Sequence, residues 1–303
     1  MAKVVRKSFA LYDPELQKKH PGDRPDGVFL KDVDAMHIFM GLIQGKRTEN
    51  EAFISERIDL TNMNRYIEEK NLSEDEFKYT LFHIIVTAGL KTFVLRPKLN
   101  RFFANKKLYQ RRELTAAFVV KKRFHDESEE GLAVIKADVD DTSETIHEKL
   151  RCHIYPVKKG HGDKTSDAMN ILNTLPPFIL KIVAAVLRFL AERGRVPKSL
   201  IASDPSWSSI FLTNLGSIKL KAGYHHLANW GTNSAFIVVG EKKMRPVFND
   251  DGSFEMRDTL DIGFTLDERI ADGYYFSKSV RLLKTLLENP WLLDRPLKEE
   301  IEY

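Results

Sequence analysis

Residues 259–273 read Thr-Leu-Asp-Ile-Gly-Phe-Thr-Leu-Asp-Glu-Arg-Ile-Ala-Asp-Gly. Thr259 to Leu266 alternates in hydrophobicity and is rich in β-branched and aromatic residues, which predicts a strand. Gly273 to Leu287 repeats its apolar residues at helical spacing and predicts a closing helix. Between them lies Asp267-Glu268-Arg269-Ile270-Ala271-Asp272-Gly273, dense in charge where the chain turns. Arg269 and Asp272 stand three apart, so an ion pair between them can tighten a strand-to-helix turn. On charge pattern alone, such a turn needs no chemistry.

Working outward, two strands precede this one, at Ser209 to Asn214 and at Ala235 to Val239. Before them, Leu175 to Glu192 is helical after Pro176-Pro177 and ends at Gly194. Thr115 to Val120 and Gly131 to Ala137 are strands joined across an acidic turn, His125 to Glu130. Thr142-Ser143-Glu144 caps a helix to His153, and Pro156 to Asp167 is a loop. Asn100 to Tyr109 forms a hairpin turning at Asn105-Lys106. Ser73-Glu74-Asp75-Glu76 opens an apolar, buried helix through Leu90, ended by Arg96-Pro97. Phe53 to Leu60 is a strand and Asn62 to Lys70 a helix, with Asp59 and Thr61 as caps. Met36 to Ile43 is a short helix. Residues 1–30 hold Pro14, Pro21 and Pro25 and read as an extended arm. Strands and helices without a regular βαβ beat predict an α+β fold, a mixed sheet with helices.

The 303 residues are 43% hydrophobic, 30% charged and 10% aromatic, which excludes a disordered chain. Lys plus Arg minus Asp plus Glu is 47 − 43 = +4. That excess is too small and scattered for a nucleic-acid binder, though it suits an anionic ligand. The single Cys152 forms neither a disulfide framework nor a cysteine metal cluster, so no metal is expected. Met1 to Leu11 lacks the apolar core of a signal peptide, and with one free cysteine the expected compartment is the cytoplasm. Leu175 to Leu190 is interrupted by Lys181 and Arg188, so no membrane span is expected. Its stripe of Phe178, Ile182, Ala185, Val186 and Phe189 suits a core or subunit contact, while Lys181, Arg188, Arg193, Arg195 and Lys198 suit a helix lying on a membrane surface.

Glycine-rich phosphate loops, H-E-x-x-H and G-x-S-x-G are absent. Among the histidines only His225-His226 are adjacent. Neighbours on a strand face opposite ways, so one of the pair at most is expected to enter a given site.

The segment 267–273 resembles the Asp-His-Arg-x-x-Asp-Gly signature of the catalytic domain of dihydrolipoyl acyltransferases, of the chloramphenicol acetyltransferase-like class. Further stretches resemble the family in its own order. They are Arg57-Ile58-Asp59-Leu60-Thr61, Arg96-Pro97-Lys98-Leu99-Asn100, Ala117 to Lys122, Gly131 to Ala137, Phe211-Leu212-Thr213-Asn214-Leu215-Gly216 and Ala235 to Gly240. Together they span roughly residues 35–290. The resemblance implies an α+β mixed-sheet sandwich, with residues 31–303 as the catalytic domain and an extended loop and helix at 155–198. It implies transfer of an acyl group between coenzyme A and a small-molecule acceptor. It also implies a homotrimer whose sites lie between protomers, so that Glu268 of one faces the Asn214 to His226 region of its neighbour. No lipoyl group is expected in cis.

One residue departs from the signature. The family's histidine takes the proton from the thiol, and this chain has Glu268 there. A free imidazole has a pKa of about 6.5, a free glutamate about 4.3 and a thiol about 8.5, so an ordinary glutamate is a weak base for the task. Three readings follow. Glu268 is a base raised by desolvation; or His225 or His226 takes over, or stabilises the oxyanion; or the chain binds without reacting, as a trimeric scaffold. By resemblance Asp272 and Gly273 hold the turn, Asn214, Gly216 and Arg269 belong to the structural motif, and Arg47 is a candidate partner for Asp272.

Overall fold

The computed structural model describes residues 18–31, 33, 35–73, 76–121, 130–158, 176–201 and 204–303. In chain order the elements are β1 (Gly27–Phe29), α1 (Ala35–Ile43), β2 (Glu51–Asp59), α2 (Thr61–Lys70), α3 (Leu81–Leu95), β3 (Arg101–Ala104), β4 (Lys107–Arg111), β5 (Leu114–Lys121) and β6 (Glu130–Ala137). They continue with α4 (Ser143–Lys158), α5 (Pro177–Glu192), α6 (Lys198–Ile201), β7 (Ile210–Asn214), β8 (Ala235–Phe248), β9 (Phe254–Asp267) and α7 (Gly273–Glu288).

Six strands form one mixed sheet in the order β2-β9-β8-β7-β5-β6, and β1-β4-β3 form a small antiparallel sheet. Among the described residues only the β5–β7 and β7–β8 pairs are parallel. The α+β expectation therefore holds. The inner face of the large sheet carries Ile237, Val239, Ile262 and Phe264 into one core with Ile85, Leu90 and Phe93 of α3 and Leu283 and Leu286 of α7. β3 and β4 turn through Asn105 and Lys106, both at positive φ (45° and 59°), the geometry that a two-residue hairpin with right-handed twist demands.

The structure corrects several details. First, α3 starts at Leu81, not at Ser73. The Thr80 amide is capped by His83 Nδ1 (3.0 Å), and the Asn71 side chain pins both the N–H and the C=O of Tyr79, so an acidic run upstream does not nucleate the helix. Second, β8 and β9 are 14 residues each, far longer than the apolar stretches that mark them. Beyond Lys243 they run on as a two-stranded arm, tied back to the sheet by ion pairs such as Arg245–Asp261 and Arg257–Asp59, both 2.7 Å. Third, the apolar stripe of α5 is not core: Phe178, Ile182, Val186 and Phe189 are 52–65% exposed. Fourth, β1 lies within the segment read as an arm, and Arg24 just before it is buried against Phe102 and Tyr109. The loop expected at Pro156 to Asp167 is helical as far as Lys158, and residues 159–175 lie outside the described ones.

Lys91, in the middle of α3, is fully buried. Its ammonium donates to the carbonyls of Leu292 (3.0 Å), Pro296 (3.0 Å) and Arg295 (3.3 Å), tying the C-terminal segment to the core. Burial lowers its pKa from 10.5 to about 8. Between those values the unfolded chain keeps a proton that the folded chain has released, so this residue makes stability rise as pH rises from about 8 to 10.5. Lys91→Met leaves three buried carbonyls without that partner and is expected to cost about 2–3 kcal/mol at pH 7. Urea unfolding checks both points: the gap between native chain and variant should widen above pH 8, and a constant gap contradicts the assignment.

Candidate active site

The carboxyl end of β9 is built around Asp267, which is 0% exposed. Arg269, two residues on, grips it with both arms of the guanidinium, Nε to Oδ1 at 2.8 Å and Nη2 to Oδ2 at 2.7 Å. A planar guanidinium matches a carboxylate in this bidentate way, so the turn after β9 closes on its own side chains. The free edge of Arg269 reaches the Gly45 carbonyl (3.1 Å), and its plane lies over the Phe103 ring.

A second buried arginine closes the other side. Arg47 Nε lies 3.6 Å from Asp267 Oδ2. Its remaining nitrogens donate to the carbonyls of Ala228 (2.6 Å), Gly231 (3.2 Å) and Phe103 (3.3 Å). Burial pulls the Arg47 pKa down to about 10, with Asp267 opposing the shift and Arg269 adding to it. Arg47 therefore serves Asp267 and the loop after His226, not Asp272, which corrects its expected partner. Asp272 instead caps α7, its Oδ1 accepting from the Tyr275 amide at 2.7 Å, so the anticipated Arg269–Asp272 pair gives way to Arg269–Asp267.

Glu268 sits between these two anchored residues. Its N–H donates to the Asn50 carbonyl (2.8 Å), continuing the β2–β9 ladder, and its side chain is exposed. The backbone at Glu268 is thus fixed on both sides while the carboxylate points free of the ion pairs.

The outer face of the sheet near this end is covered by the segment 219–231. The segment begins after the turn at Asn214, where the carboxamide oxygen accepts from the Ser217 amide (3.2 Å). Glycines let it lie flat. A Cβ on Gly216 would meet the Gly240 carbonyl oxygen at 2.3 Å, and one on Gly263 would meet the Gly223 carbonyl oxygen at 2.1 Å. Further along, Tyr224 packs on Phe53 of β2, with ring centroids 5.3 Å apart, and the Leu227 amide donates to the Glu51 carboxylate. Gly263→Ala is expected to lift this segment at a cost of about 1–3 kcal/mol and to expose it to trypsin at Lys219 and Lys221. Unchanged digestion of that variant contradicts the close packing.

His225 and His226 lie on this segment, not on a strand, so they do not face opposite ways. Their rings stack at 4.8 Å, and His225 also stacks on Phe236 of β8 at 4.4 Å. His225 Nδ1 lies 2.9 Å from the His226 carbonyl oxygen. A carbonyl only accepts, so Nδ1 carries the hydrogen and the neutral ring presents Nε2 as an acceptor. The segment is tied to the end of β9 through Glu51, whose strand partner is Asp267, and through Arg47. One chain therefore brings His225, His226 and Glu268 to the same end of the sheet.

Residues 176–294 match the family model of the 2-oxoacid dehydrogenases acyltransferase catalytic domain. This stretch holds α5, the 219–231 segment, Asp267 and Arg269, and α7. The lipoamide acyltransferase component of the branched-chain alpha-keto acid dehydrogenase complex of Bacillus subtilis is 24% identical over 253 residues. The match covers 80% of this chain, and the chain spans about half (49%) of that relative. Among solved structures, a probable dihydrolipoamide acetyltransferase of Listeria monocytogenes superposes with a TM-score of 0.58 at 17% identity, covering 89% of this chain and 96% of the other. This is the acyltransferase catalytic-domain fold. The dihydrolipoamide acetyltransferase of Azotobacter vinelandii shares it, with a TM-score of 0.52 and 15% identity over 87% of this chain and 93% of the other. In that enzyme a serine, a histidine and an asparagine were examined for their roles in the catalytic mechanism. The resemblance read from residues 35–290 thus extends to the fold.

The sequence alone does not mark Asp267 as the centre of the site, nor Glu51 and Phe53 as its floor; Tyr224, which neighbours His225 and His226 as a candidate oxyanion donor, packs on Phe53 instead. Gly240 and Gly263, glycines inside strands, were the available signal that another backbone approaches there. Among the described residues no group of histidine, cysteine, aspartate or glutamate could hold a metal ion, and no helix is long and apolar enough to cross a membrane.

Proposed function

We propose that this chain transfers an acyl group between coenzyme A and a small acceptor, at the end of β9 where Glu268 projects. The observation that carries the reading is the Asp267–Arg269–Arg47 cluster, which fixes the backbone on either side of Glu268 at the position of the family's catalytic histidine. Glu268 takes the proton of the acceptor's nucleophilic atom. That atom attacks the acyl carbonyl carbon and forms the new bond, and the tetrahedral intermediate collapses with cleavage of the thioester C–S bond. The departing coenzyme A thiolate then takes up the proton from Glu268. No covalent acyl-enzyme is formed. On this reading His225 or His226 stabilises the oxyanion, and Asp272 and Gly273 anchor the turn. The unit that carries the reaction is residues 31–303.

A carboxylate becomes basic enough for this only when water is excluded. A single protomer leaves Glu268 in solvent, so the reading requires a second copy over this end of the sheet, as in a homotrimer. The exposed apolar residues Met36, Phe39 and Ile43 support such a contact. They lie on α1, which leads directly to the Gly45 carbonyl held by Arg269.

A second reading rests on the geometry of His225, whose Nε2 is left as a free acceptor. On that reading His225 is the base. A third keeps the fold and the trimer without reaction.

Calorimetric titration with coenzyme A, together with light scattering, tests the shared ground. Saturable binding to a particle of about three chains is expected. A monomer that ignores coenzyme A contradicts all acyl-transfer readings.

A further inference from the structure

We propose that α5 is a membrane-surface helix, laying its exposed apolar stripe into the headgroup region of an anionic phospholipid bilayer. The proposal goes beyond acyl transfer and stands on different residues.

The stripe is Phe178, Ile182, Val186 and Phe189, spaced four, four and three apart and so on one side of the helix. These side chains are 65, 60, 52 and 54% exposed. The adjoining face, Ile179, Val183, Leu187 and Leu190, is half-buried, and Ala191 is buried, so the helix rests on the protein along that side and leaves the neighbouring apolar stripe outward. Its carboxyl end is fixed by buried Arg24, which donates to the carbonyls of Ala191 (2.9 Å) and Glu192 (2.6 Å). Burying aromatic and branched side chains is the main favourable term available to the chain, and four of them face solvent here.

Charge names the occupant. Residues 177–198 hold Lys181, Arg188, Arg193, Arg195 and Lys198 against Glu192, so 5 − 1 = +4. The whole chain has a formal charge of +4, so the remainder sums to zero. The positive excess thus falls, along the chain, within this helix and the few residues that follow it. Lys181 and Arg188 are exposed and border the stripe on one side, and Arg193 lies over the Phe189 ring at 3.5 Å. An apolar stripe edged with lysine and arginine is the arrangement that an anionic lipid surface attracts, with the stems lying along the apolar phase and the heads reaching phosphate. The area argues against a second copy as the occupant. Four partly exposed side chains offer roughly 400 Å², about half of what each partner brings to a stable protein interface. The helix is also too short to span, since 16 residues rise only about 24 Å.

The test is sedimentation of the full chain with large vesicles of phosphatidylcholine alone, or with about a third phosphatidylglycerol. Binding to the anionic vesicles is expected. Raising salt to about 0.5 M should weaken it at least tenfold, because the Debye length then falls below about 5 Å. Phe178→Ser/Phe189→Ser removes two exposed rings and should lower partitioning at least tenfold with unchanged unfolding. Lys181→Gln/Arg188→Gln should lower it by about fivefold per charge removed. Phe189→Trp should show a blue-shifted emission on anionic vesicles only. Three results overturn the proposal: no binding to anionic vesicles, equal binding to both compositions, or a change in particle mass on Phe178→Ser/Phe189→Ser without vesicle binding. The last assigns the stripe to contact between copies.

Discussion

Asp267→Ala is expected to cost about 3–5 kcal/mol of folding stability, the range for a buried ion pair broken on one side. The carboxylate is fully buried and is gripped by Arg269 at 2.7 and 2.8 Å. Removing it leaves that guanidinium and Arg47, itself 5% exposed, as charges with no counter-ion in a dry interior. The loss spreads beyond the pair. Arg47 holds the carbonyls of Ala228 and Gly231, and Arg269 holds that of Gly45, so the 219–231 segment and the start of β2 should loosen together. Urea unfolding, with hydrogen exchange at Ala228 to Gly231, measures both effects. A loss under about 1 kcal/mol means that the arginines find other partners and the cluster is not the anchor described. Asp267→Asn should fall between, since it keeps the volume and some hydrogen bonding but loses the charge.

Glu268→Gln should do the opposite: leave stability within about 0.5 kcal/mol and remove activity. The side chain is exposed in the single chain, and surface exchanges of this kind barely move the folding equilibrium. The amide has nearly the same shape as the carboxylate and no basicity. Loss of a positioned base lowers the rate by about 10²–10⁴-fold. Glu268→His, which restores an imidazole, should retain activity. If Glu268→Gln works within twofold of the native chain while His225→Phe is inactive, the base is His225. The contrast between positions 267 and 268 is the point: one holds the turn and the other uses it.

Much of this was legible from residues. The strand to Leu266, the turn at 267–273 and the helix to Leu287 follow from hydrophobic periodicity, and all three stand in the structure. The resemblance at Phe211 to Gly216 and Ala235 to Gly240 located the two parallel strands of the centre. Asp267 stayed hidden because a buried carboxylate looks like any charged turn residue until its two arginines are seen, and one of them, Arg47, is 220 positions away. The long arm of β8 and β9 was missed because its outward residues Met244 and Phe248 and its inward arginines invert the usual pattern. The stacked histidines were misread for a simpler reason. Facing rules for neighbours hold only where the backbone is extended, and residues 221–228 belong to no strand.

Thiol release from acetyl-coenzyme A by the unmodified chain, with a panel of small thiols, amines and alcohols as acceptors, is the decisive measurement. Release above the uncatalysed background, saturating in acetyl-coenzyme A and abolished by Glu268→Gln, is the predicted result. A chain that binds coenzyme A, releases no thiol with any acceptor and gains activity only as Glu268→His would instead be a binding protein on an acyltransferase fold.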